Sequence, residues 1–186
     1  KIYDASENTY IDAIPSEDIP FFNTGTNILD NLWGCSDGSS VDCTGTCGGS
    51  ATNCPSWEDD PGAYEFTATL AGGLVLIDGV QVDDPNDVLA AIDEDGNVRG
   101  VGVQLNPPFG DYAGTIIYEM TMRSNTAAGD VLSFKYYDYS QDAVLNLSES
   151  YTFVTSDILG DVTDPYMLSH CSLIDDACGV CGGDGS

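Results

Sequence analysis

Apolar and polar positions alternate with a period of two in much of the central part of the chain. Tyr64, Phe66, Ala68 and Leu70 alternate with Glu65, Thr67 and Thr69, as in a strand with one buried face. LVLIDGVQV follows, two apolar runs about Asp78-Gly79, and predicts a two-residue hairpin turn. VLAAI at 88–92 is joined to VRGVGVQL by a turn from Asp93 to Asn97. VLAAI alone also fits a helical turn, with Pro85 before it. TIIYEMTMR puts Ile116, Tyr118, Met120 and Met122 on one face, and VLSFKYYDY does the same for Leu132, Phe134 and Tyr136. YTFVT at 151–155 closes a series of about seven or eight short strands with no convincing helix. The fold class expected is all-β, an Ig-like or jelly-roll β-sandwich with disulfide-rich flanking segments.

The pattern divides the chain into four parts. Residues 57–168 carry the sandwich. Residues 35–56 and 169–186 are rich in cysteine and glycine, the second read as a linker. Residues 1–34 form an arm with scattered apolar residues and two prolines, Pro15 and Pro20. Within it, 9–14 suits a strand. Such an arm either pairs with an edge of its own sheet or crosses to complete a neighbour's sheet. Tyr10, Ile11, Ile14, Phe21 and Phe22 are the candidate interface residues.

Charge narrows the partners. The chain has 31 acidic residues against four basic ones, a formal charge of −27. No basic patch can be built, which excludes nucleic acid and an anionic membrane face as partners. No apolar run of about 18 residues exists, so no membrane insertion is expected. Divalent cations, cationic partners or simple solubility suit this surface.

The seven cysteines are Cys35, Cys43, Cys47, Cys54, Cys171, Cys178 and Cys181. Cys178 and Cys181 have the spacing of a zinc knuckle, but a structural zinc needs four ligands and the only histidine is His170. Disulfides fit better and imply an oxidising, extracellular or cell-surface setting. Asn146-Leu-Ser148 is a glycosylation sequon that agrees with this setting. An odd count leaves one thiol free, bonded between chains, or paired with a cysteine not present here.

Cys178-Gly-Val-Cys181-Gly-Gly-Asp184, and more loosely Cys43-Thr-Gly-Thr-Cys47-Gly-Gly, resemble the acidic thrombospondin type 3-like repeats of large secreted surface proteins. The run IDGVQVDDPNDVLAAIDEDGNVRGVG, with its later strand GDVLSFKYYD, resembles a β-module recurring in the same proteins. The resemblance implies that the C-terminal unit runs on to a further cysteine beyond Ser186; aspartates of such repeats often hold calcium, but Asp184-Gly185 alone is no calcium loop.

Catalytic chemistry finds little footing. His170 abuts Cys171, and neighbours in sequence do not present their side chains to each other as a nucleophile and base. With so many acids, a pair at glycosidase spacing means nothing by itself. A non-enzyme is expected. Two oxygen-rich turns are candidate calcium sites: Asp83, Asp84 and Asp87 in the first, Asp93, Asp95 and Asn97 in the second. Asx turns closing hairpins are the plainer reading of both. Tyr137 and Tyr139, at i and i+2, would stack on sugar rings if exposed. The sequence therefore supports a structural subunit of an extracellular filament, self-associating through strand and arm contacts. The alternative is a calcium-dependent carbohydrate-binding or adhesion module of a larger secreted protein.

Overall fold

The computed structural model describes residues 1–4, 8–12, 14–15, 32–173 and 181. The chain divides into two compact units, Lys1–Cys54 and Pro55–Ser186.

Among its described residues, the first unit is held by local pairing and crosslinks. Strands β1 (Ile2–Asp4) and β2 (Thr9–Ile11) form an antiparallel ladder, as do β3 (Ile14–Pro15) and β4 (Leu32–Trp33). Disulfides join Cys35 to Cys47 and Cys43 to Cys54. Between them sits Asp42. Its Oδ1 accepts from the Thr44 and Thr46 amides, both at 3.0 Å, and its Oδ2 from the Ala51 amide at 3.3 Å. A Cβ at Gly49 would lie 2.0 Å from Asp42 Oδ2, so only glycine fits beside this carboxylate. Among the described residues, the two crosslinks and this hydrogen-bonded carboxylate fix the loop between Cys35 and Cys54.

The second unit is a β-sandwich with no helix among its described residues. One sheet contains β5 (Phe66–Ile77), β6 (Val80–Gln81), β9 (Val103–Leu105), β10 (Ile117–Ser124), β13 (Ile158–Leu159) and β14 (Tyr166–His170). The other runs in the order β12 (Ala143–Val154), β11 (Ala128–Asp138), β7 (Val88–Ile92), β8 (Val98–Val101). The all-β sandwich expected from the alternation is present. Leu70, Leu89, Tyr118, Met120, Met122, Leu132, Phe134, Tyr136, Phe153 and Leu168 fill the space between the sheets, each almost wholly buried. VLAAI is strand β7, not a helical turn. Leu89, Ala90 and Ala91 are all fully buried, so both faces of β7 are covered and alternation disappears.

Two features shape the sandwich. The chain passes from β8 in one sheet to β9 in the other at Gly102, whose amide donates to the Leu89 carbonyl at 2.8 Å. A side chain there would press on Tyr118 and Leu89. On the other flank, Glu149 reaches from β12 to β14 and accepts from the Ser169 amide at 2.7 Å and the Ser169 hydroxyl at 2.5 Å. His170 Nδ1 donates to the Asn146 carbonyl at 2.8 Å. The two sheets are thus tied along both flanks.

β5 is one continuous strand despite Gly72-Gly73. Its pairing with β10 slips between Tyr118 and Met120, a bulge at Ala71-Gly72 opposite Glu119. A Cβ on Gly72 would stand 2.2 Å from the Asp161 carbonyl oxygen. The loop between β13 and β14 crosses β5 at this point.

Candidate functional site

The first acidic turn is built around Asp87. Its carboxylate accepts from the Tyr136 hydroxyl at 2.5 Å, the Tyr139 amide at 2.8 Å and the Asp84 amide at 3.2 Å. Gln104 Nε2 donates to the Asp87 and Asp84 carbonyls and to the Tyr118 hydroxyl. Asp87 is only 5% exposed. Burial pushes its pKa up, partly opposed by the Tyr136, Tyr139 and Asp84 donors, with Asp138 adding repulsion. Burial also lifts the Tyr118 phenol to about 12 and the Tyr136 phenol further, so both stay protonated, Tyr136 donating to Asp87 and Tyr118 accepting from Gln104. This cluster ties the entry to β7, the end of β11 and strand β9 together. Asp83 is exposed.

The second turn is built around Asp93. Oδ1 accepts from the Asp95 amide at 3.0 Å and the Asn97 amide at 2.7 Å; Oδ2 accepts from Asn97 Nδ2 and Arg99 Nε, both at 2.9 Å. Desolvation works against its charge, but the Asn97 and Arg99 donors outweigh it and hold the pKa below the ordinary value. Arg99 also lies 4.6 Å from the centre of the Tyr64 ring and 3.5 Å from Asp130. Arg99 therefore supplies a guanidinium cation to this turn. Asp95 and Asn97 are exposed beyond it. The two turns cap opposite ends of β7, about 16 Å apart for five residues of strand, so no single ion can take ligands from both.

Six of the seven cysteines are paired, the third bridge joining Cys171 to Cys181. Cys178 lies outside the described residues. Three disulfides belong to an oxidising, extracellular-type environment. Asp78 Oδ1 sits 3.2 Å from Cys181 Sγ. Because both sulfurs are in the bridge, Asp78 is the one charged ligand atom source in this group. It accepts from the Ser172 amide at 2.8 Å and the Ser172 hydroxyl at 2.6 Å, which hold its pKa down.

Of the interface candidates, Tyr10 is 69% exposed and packs on Tyr3 with ring centres 5.2 Å apart. Tyr10 and Ile11 line a cleft of about 240 Å³ with Cys35, Ser39 and Val41. Ile14 lies in β3, and Phe21 and Phe22 fall outside the described residues. Asn146 is exposed on β12. The proposed sugar-stacking pair does not form: Tyr137 is fully buried, its hydroxyl donating to Asp142 at 2.7 Å.

One surface was not foreseen. Leu105, Pro107, Pro108, Phe109 and Val162 line an apolar cleft of about 290 Å³, with Phe109 80% exposed. It adjoins β9, which ends its sheet and carries Val103, 64% exposed. Pro107-Pro108-Phe109-Gly110, an aromatic residue among turn-forming ones, is the signal for it in the sequence. No protein-family model, curated protein or solved structure matches the chain.

Proposed function

We propose that the chain is a structural subunit of an extracellular filament, a disulfide-clamped β-sandwich bead that self-associates through strand edges. The observation that supports this best is the open edge of β9 beside the Phe109 cleft. Unpaired strand edges recruit further strands, and an exposed apolar patch next to one marks a contact surface. The acids named by the sequence support the same reading, because Asp78, Asp87 and Asp93 are engaged in bracing turns. Each accepts hydrogen bonds from neighbouring backbone or side-chain donors, which brace its turn. The occupant of the edge is a second copy. With a charge of −27 per chain, copies repel one another at low ionic strength, so association strengthens as salt or divalent cations screen the surface. Sedimentation velocity tests this. Wild-type chain should sediment as higher oligomers at physiological salt, and Val103→Lys with Phe109→Ser should sediment as monomer. Equal sedimentation of the two at all salt concentrations refutes the β9 edge as the contact.

A further inference from the structure

We propose that the sandwich is a force-bearing clamp, in which β5 and β14 carry tension along the chain in shear. The inference deepens the filament reading and rests on it for its purpose, while the geometry belongs to the single bead.

β5 is the first strand of the sandwich and β14 the last, and they are parallel neighbours. Their register runs from Tyr166 opposite Gly73 to His170 opposite Ile77, with β13 adding Ile158 opposite Thr69 and Leu159 opposite Leu70. The chain enters β5 at the Phe66 end and leaves β14 at the Ile77 end. Tension applied through the flanking chain pulls β5 one way and β14 the other, along their common axis. The ladder bonds lie across that axis and are loaded together. A hairpin pulled at its open end loses its bonds one at a time, whereas this pair must lose them at once.

Shear holds only if neither strand can be peeled from its end, and both ends are stapled. At the entrance, Arg123 of β10 donates from Nε and Nη2 to the two Asp59 carboxylate oxygens, both at 2.7 Å. Asn125 accepts from the Glu65 amide and donates to the Ala63 carbonyl. At the exit, the Asp78 amide donates to the His170 carbonyl at 2.9 Å, and the Asp78 carboxylate grips Ser172 by its amide and hydroxyl. The Cys171–Cys181 bridge follows at once. Arg123 and Asp59 form a bidentate pair, the geometry that resists displacement best.

Backbone alternation shows which bonds bear load. The Ser169 amide points to Glu149, away from β5. In a strand, successive amides face opposite sides, so those of Leu168 and His170 face β5 and those of Met167 and Ser169 do not.

The test is single-molecule stretching of the full chain between its termini, flanked by marker domains. Wild type should rupture in one step that releases roughly 105 residues, about 330 Å of contour at about 3.5 Å per residue less the folded span. His170→Pro, read against His170→Ala, which loses only the Nδ1 bond to Asn146, removes one of the few backbone bonds loaded in parallel and should lower the rupture force by roughly a third. Met167→Pro, whose amide faces away from β5, should leave it within error. Thermal unfolding of all three variants shows that each folds and that the force difference is not one of overall stability. Extension in many small steps, or equal forces for the two proline variants, overturns the clamp. Single chains are stretched, so the result is independent of whether the protein polymerises. Filaments built from beads without a clamp would leave the assembly reading intact.

Discussion

The Tyr136 hydroxyl meets the Asp87 carboxylate at 2.5 Å across 49 residues of chain. The contact joins the end of β11 to the turn that opens β7, and it is buried. Tyr136→Phe leaves the carboxylate desolvated with one donor fewer, and should cost about 1–3 kcal/mol in urea unfolding. Its shape is conserved, so the loss reads the hydrogen bond and not a cavity.

The acids act on stability with opposite signs. The Asp87 pKa is raised in the folded chain, so its stabilising contribution is complete below the ordinary aspartate value and is lost as pH rises through the folded value. Asp130, held down by the Ser124 and Thr126 hydroxyls, and Asp161, held down by Thr163, behave in reverse. Their contribution is present above the ordinary value and lost as pH falls through the lower folded one. Melting temperature against pH should therefore fall in acid for wild type. Asp87→Asn should lose stability relative to wild type in acid and recover it as pH rises.

Arg99 is one of four basic residues, and its side chain is 14% exposed. It serves Asp93, Asp130, the Arg123 carbonyl and the Tyr64 ring together. Arg99→Met keeps the stem and removes the charge, leaving Asp93 desolvated without its cation. The expected cost is about 2–4 kcal/mol by chemical denaturation.

Gly72 allows the loop after β13 to touch β5 backbone to backbone. Gly72→Ala should cost about 2–3 kcal/mol, since a backbone atom and not a side-chain tip must move. Hydrogen exchange should quicken at β13 and β14 before it does at β10 and β11.

These relationships differ in how far they can be read from sequence. Glu119 and Thr121 between Tyr118, Met120 and Met122 announce β10, because one face meets water. The Asp78-Gly79 turn is legible because both residues take positive φ, 51° and 78°. VLAAI at 88–92 is legible as a strand or a helical turn but not decided between them, since burial of β7 on two faces erases alternation. Gly72-Gly73 reads as a break, yet the strand continues, because the glycines answer a loop about 90 residues away. The acidic turns are visible as turns, but nothing in DDPND distinguishes buried Asp87 from exposed Asp83. That difference is made by Tyr136 and Tyr139, which only the fold brings near. Disulfide pairing is equally silent, as cysteines at several spacings satisfy the same sequence.

Electron microscopy of the purified full chain in negative stain, at low and at physiological salt with calcium, tests assembly most directly. Filaments at physiological salt that vanish with Val103→Lys and Phe109→Ser are the predicted result. Dispersed single particles under every condition, at concentrations where the chain remains folded, would contradict it.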